Sequence, residues 1–157
     1  QGQQANRNGS NLEGFVSDML VRAGYTEVTK PHDKCLLLCN PPGNSTNKVK
    51  VFAAQALVGE TVYGTKNIAD FLLVRDGIRS VIECKWQSSN GSVDEKFPYL
   101  VACIDHCKIS TIVLLDGGGY KDGAKRWLEA QVKISAHLEY VVDTPGMFKL
   151  FNAGFFD

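Results

Sequence analysis

The sequence predicts an α/β domain, a mixed sheet flanked by helices. Two apolar runs joined by Asp-Gly, "IADFLLV" (68–74) and "IRSVIECKW" (78–86), read as an antiparallel hairpin. The run "STIVLLD" (110–116) is apolar on both faces, as a strand covered on both sides must be. Segments of helical apolar period precede, separate and follow these strands, which layers helices against a sheet.

Taken in order, residues 1–10 are polar and unpatterned, which predicts a mobile arm that orders only on a partner. Residues 11–157 form the single domain. Ser10 or Asn11 is placed to cap a first helix whose stripe is Leu12, Phe15, Val16, Met19, Leu20 and Ala23, ending at Gly24. Glu13 would lie in its first turn, where the helix dipole favours a carboxylate. "KCLLLCN" (34–40) reads as a short buried strand and "NPPGNSTNK" (40–48) as a loop. Residues 49–64 read as a strand with an irregular continuation toward Tyr63 and Gly64. After the hairpin, Val93, Phe97, Leu100, Val101 and Ile104 keep a helical period. Pro98 sets the start of that helix near Phe97. The strand 110–116 leads through "GGGYKDG" to a helix over 124–135 with Ala124, Trp127, Leu128 and Val132 inward. A strand "LEYVV" (138–142), a turn at "TPG" and an aromatic tail (147–156), packed or in an oligomer contact, complete the chain.

Composition narrows the function. A chain of 157 residues with 44% apolar and 10% aromatic residues can bury one core. Seventeen basic against seventeen acidic residues give zero net charge, so any nucleic-acid surface must be local. One candidate is Lys121, Lys125 and Arg126 at the Gly-rich loop and the helix after it, where backbone amides suit phosphate; a solvated helix start is the simpler reading, since the loop matches no nucleotide-binding fingerprint. The sequence contains no run of 18 apolar residues and no basic-then-apolar leader pattern, so a soluble, intracellular, reducing setting without a membrane is expected. The five cysteines, Cys35, Cys39, Cys84, Cys103 and Cys107, then read as free thiols. The competing reading is zinc, from the pairs Cys35/Cys39 and Cys103/Cys107 near His32 and His106. On a strand, a four-residue step holds two cysteines about 13 Å apart, too far to share one ion.

The chemistry concentrates on the hairpin. Alternation sends Glu83, Lys85 and Gln87 to one face and Ile82, Cys84 and Trp86 to the other. If the hairpin turns at Asp76 and Gly77, Asp70 pairs near Glu83. Two carboxylates and an ammonium at one spot are costly unless something organises them, because burial and like charge both disfavour ionisation. A hard divalent cation bound by carboxylate oxygens resolves the conflict and, with Lys85 orienting a water, outlines metal-assisted phosphodiester hydrolysis.

Asp70, the Glu83-Cys84-Lys85 triplet after twelve intervening residues, a Glu-bearing helix before and a helix after together resemble the PD-(D/E)xK nuclease superfamily. "IECKWQSSNGSVDEK" further resembles type II restriction endonuclease relatives. Ala69 stands where the family has Pro, a position that supplies no ligand. The resemblance covers about residues 10–136 and implies a restriction-endonuclease-like αβββαβ core. It implies Mg²⁺, with Mn²⁺ able to substitute, on Asp70, Glu83 and the Cys84 backbone carbonyl, with Glu13 joining through water and Lys85 positioning the attacking water. It makes Gln87 and Lys96 phosphate or nucleotide contacts, against the simpler reading of a polar loop and helix start. The implied activity is a DNA endonuclease of restriction or homing type, acting as a homodimer or higher oligomer. A junction or flap resolvase and an inactive nucleic-acid-binding module are the alternatives.

Overall fold

The hairpin at the centre of the sheet closes as the Asp-Gly signal requires. A computed structural model describes residues 2–39, 49–89 and 92–157, with residues 2–10 and 39 described by backbone alone. Strands β3 (Lys66–Arg75) and β4 (Ile78–Trp86) are antiparallel, from Arg75 opposite Ile78 to Phe71 opposite Ile82. Asp76 and Gly77 both take positive φ, 50° and 84°, the pair of left-handed residues that matches the twist of a two-residue hairpin turn.

Around this hairpin runs a six-stranded mixed sheet in sequential order β1 to β6. β1 (Thr26–Glu27) is parallel to β2 (Lys50–Glu60), and β2 is antiparallel to β3. β5 (Ser110–Asp116) and β6 (Leu138–Val142) extend the sheet parallel to β4. The parallel connections pass through helices α3 (Phe97–Cys107) and α4 (Asp122–Gln131), with a single 3-10 turn, Asp94–Lys96, leading into α3.

Alternation divides the core into two layers. Phe71, Leu73, Ile82, Ile112 and Leu114 face α1 (Gly2–Arg22) and α5 (Thr144–Asn152), meeting Leu12, Val16, Leu20 and Met147. On the opposite face Leu72, Val74 and Val81 pack with Leu37 of α2 (Pro31–Cys39), while Val113 and Leu115 pack with Phe97, Val101 and Ile104 of α3 and Leu128 of α4. The middle of β5, Ile112 to Leu115, is apolar on both sides because both faces are covered.

Four segments depart from the sequence expectations. α1 begins at Gly2, well before the Ser10 or Asn11 cap. It does end at Gly24, where Tyr25 N–H donates to Leu20 O and Gly24 N–H to Val21 O, a Schellman closure. "KCLLLC" belongs to helix α2; a short apolar run carries no period that separates a strand from a helix. Among its described side chains Leu37 alone is deeply buried while Leu36 is exposed, one stripe rather than two faces. "TPG" opens α5 rather than a turn, with Asp143 accepting the Gly146 N–H at 2.8 Å and Pro145 in the first turn. Trp127 of α4 is partly exposed, and Leu128 carries the burial. The predicted loop at 40–48 lies outside the described residues, and no described helix is long and apolar enough to cross a membrane.

Phe71 is fully buried at the junction of α1, β2 and β4. Phe71→Ala is expected to cost about 3–5 kcal/mol, read as a lower midpoint in urea unfolding with an unchanged m-value.

Candidate active site

The β3–β4 ladder stops where the chemistry begins. One step beyond the Phe71–Ile82 pair, Asp70 comes opposite Glu83, and its Oδ2 accepts the Cys84 N–H at 2.8 Å. A side-chain carboxylate thus takes the place of a ladder carbonyl. The Lys85 ammonium lies 2.6 Å from Glu83 Oε2, 3.3 Å from Cys84 O and 3.4 Å from Asp70 Oδ2. Two carboxylates and one main-chain carbonyl therefore point at a single positive charge. Glu83 is 9% exposed, so these charges compensate one another more than water does.

The electrostatics follow from that burial. Desolvation pushes Glu83 above the ordinary glutamate pKa, and Lys85 only partly opposes it. For Lys85 burial pulls the pKa down, but Glu83 and Asp70 outweigh it and hold the ammonium charged. The Cys84 thiol, on the opposite face of β4 against the α1 core, is pushed far up by burial and by Asp70.

Glu13 feels the charges of this site, but the dipole reading of it does not hold. With α1 starting at Gly2, Glu13 sits mid-helix and no acid occupies the first turn. Burial raises its pKa, and the Asp70 charge raises it further while Lys85 lowers it, so it shares their field. Among the described residues, cysteines and histidines included, no three of His, Cys, Asp and Glu gather within ligating reach of one ion. Cys107 Sγ accepts from Asn67 Nδ2 and donates to Glu60 O, while Cys35 is exposed on α2.

Gln87 does not join the carboxylates. Its amide is buried and fully engaged: Nε2 donates to Gly119 O at 2.9 Å and Asp94 Oδ1 at 3.3 Å, and Oε1 accepts the Val93 N–H at 3.1 Å. It braces the loop after β4 against the Gly-rich loop after β5. That role explains the glycines: a Cβ on Gly117 would come 2.4 Å from Gln87 O, and one on Gly119 2.4 Å from Ser89 N. Asp94 Oδ2 also accepts the Lys121 N–H, and the Tyr120 hydroxyl donates to Lys85 O, which anchors the lysine backbone. Lys96, Lys121, Lys125 and Arg126 are all exposed, and Lys125 pairs with Glu129 one helical turn on at 3.9 Å.

Gln55 is the site residue that sequence reading missed. It lies opposite Asp70 on β2, between the Ala54–Phe71 and Ala56–Ala69 pairs, and its Nε2 donates to Asp70 Oδ1 at 3.3 Å. Its φ of 49° is left-handed, a strained conformation for a residue with a side chain. A lone amide inside "VFAAQALV" was the available signal.

Asp70, Glu83 and Lys85 converge at the open end of a hairpin, in a mixed sheet between helix layers. The PD-(D/E)XK nuclease superfamily domain model matches residues 4–153, and the chain belongs to that superfamily. As a class it is a nuclease domain, a hydrolase of phosphodiester bonds. No curated protein and no solved structure compared with the chain matches it.

Gly117→Ala is expected to destabilise the protein by about 2 kcal/mol or more, through its φ of +99° and the contact with Gln87, measurable by thermal unfolding. With its pKa raised, folded Cys84 has almost no thiolate even at pH 8. Iodoacetamide should therefore label it at least about tenfold more slowly than exposed Cys35, a difference that peptide mapping reads and that unfolding abolishes.

Proposed function

We propose that the domain is a divalent-metal-dependent DNA endonuclease, with Mg²⁺ as the ion and Mn²⁺ able to replace it. The carrying observation is the convergence of Asp70 Oδ2, Glu83 Oε2 and Cys84 O on one cationic position, held in the resting chain by the Lys85 ammonium. All three are hard oxygen donors, the set Mg²⁺ prefers, and nucleases of this superfamily generally use divalent metals. Asp70, Glu83 and the Cys84 carbonyl would hold the ion, with Glu13 joining through a water. The ion would supply Lewis-acid polarisation of the phosphate and a more acidic water.

The remaining work belongs to the chain. Lys85, with its backbone anchored by Tyr120 and its ammonium by two carboxylates, positions the attacking water and opposes the charge that develops on phosphorus. Gln55 and the Cys84 N–H keep the Asp70 carboxylate aimed inward. Gln87 holds the loops that frame the site rather than touching substrate. The exposed Lys96, Lys121, Lys125 and Arg126 lie on those loops and the helices they enter, where they would meet the phosphate backbone. One such site cuts one strand, so double-strand cleavage would take two copies related by a two-fold axis.

Supercoiled plasmid incubated with Mg²⁺ tests the reading. Wild type should nick it, and Lys85→Ala and Glu83→Ala should each lower the rate by at least about 100-fold. Glu83→Ala should still bind DNA in a gel shift with Ca²⁺. Nicking by all proteins alike, or by none, would overturn the assignment.

A further inference from the structure

The turn between β2 and β3 presents an aromatic ring to solvent from a rigid mount. Thr61 ties it: its N–H donates to Thr65 O at 2.7 Å, and its Oγ1 accepts the Tyr63 and Thr65 N–H groups and bonds Thr65 Oγ1 at 2.8 Å. Gly64 N–H closes the turn on Thr61 O at 2.9 Å, with the Gly64 φ at +72°. Thr61 itself is buried, so the turn is fastened from beneath. At its tip Tyr63 is 79% exposed and lies nearly parallel on Tyr99, which is 38% exposed, with ring centres 5.2 Å apart and planes at 22°. One face of Tyr63 rests on Tyr99 and the other is open.

The position of this pair matters more than its exposure. β3 runs from the turn directly to Asp70, five residues past Thr65, a span of about 17 Å. That is roughly five steps of stacked bases at 3.4 Å each. Tyr99 lies in the first turn of α3, just after the 3-10 turn whose Asp94 holds Gln87 behind the active site. Exposed lysines flank the rings, Lys66 on β3 and Lys96 before α3. A stacked aromatic face with exposed lysines three residues from each ring, on the strand that leads to Asp70, has the chemistry of a nucleobase platform.

We propose that Tyr63, supported by Tyr99, stacks on an unpaired nucleobase of the substrate strand a few nucleotides from the phosphate held at Asp70 and Glu83, while Lys66 and Lys96 hold the intervening backbone. Within a duplex each base face is covered by its neighbours, so an open ring can stack only on a base that has lost one, in a single strand, a flap or an end. The platform therefore turns the nuclease reading, on which it rests, toward substrates with unpaired bases. Because the turn is already ordered, stacking costs little further loop entropy.

Binding of a fluorescein-labelled oligodeoxythymidylate and of a blunt duplex, in Ca²⁺ and with the full chain, tests the platform. Tyr63→Ala should weaken single-strand binding about 5- to 50-fold and change duplex binding less than about twofold. Tyr63→Phe should restore single-strand binding and Tyr63→Leu should not. Lys66→Ala should flatten the salt dependence of binding by about one ion, whereas Tyr63→Ala should leave the slope unchanged. Unaltered single-strand affinity in Tyr63→Ala, an equal loss on duplex, or rescue by Leu would overturn the platform. If wild type nicks plasmid while Tyr63→Ala binds normally, the platform alone fails; if wild type neither nicks nor binds nucleic acid, both readings fail.

Discussion

The carboxylate of Asp70 accepts the Cys84 N–H at the point where the β3–β4 ladder would otherwise continue, and the site is built outward from that bond. It lets two strands part without leaving a buried backbone donor unpaired, a defect that costs about 1–3 kcal/mol. The parting makes room for the Lys85 ammonium, which faces both carboxylates. Burial alone drives Glu83 toward its neutral form, and the Lys85 ammonium opposes that. With both carboxylates ionised the cluster carries one net negative charge, and water reaches it only in part.

A second set of bonds holds that cluster from behind. Gln87 sits two residues past Lys85 and joins the loop after β4 to Asp94, Val93 and Gly119, while Tyr120 anchors the Lys85 carbonyl. The close approach of Gly117 and Gly119 to residues 87–89 belongs to the same brace. Lys85 therefore works from a backbone fixed on both sides, by the ladder before it and by the Gly-rich loop after it. Catalytic geometry is kept by such supporting contacts as much as by the residues that touch substrate.

Much of the fold could be read directly. The Asp-Gly turn, the doubly apolar "STIVLLD", the α1 stripe ending at Gly24 and the α3 start near Phe97 follow from local rules of twist, burial and capping, and the structure agrees with each. The misreadings share a cause. "KCLLLC" and "TPG" are short, and a run of three to six residues does not distinguish a strand or turn from a helix until it is known which side is buried. Glu13 shows the same limit: its role as a first-turn acid depended on where α1 begins, and the helix begins much earlier.

At the site, local order along the chain was enough to gather the charges: alternation puts Glu83 and Lys85 on one face of β4, and the Asp-Gly turn sets Asp70 opposite them. Those relations are periodic and local, so they survive without coordinates. Only the tertiary structure decided the rest. It turned Gln87 inward as a brace, brought Gln55 across from β2 in a strained backbone, and stacked Tyr63 from one turn on Tyr99 from a helix 36 residues away. Each of these contacts joins segments whose separation along the chain carries no period, and their meeting is fixed only when the sheet and its two helix layers close on one core.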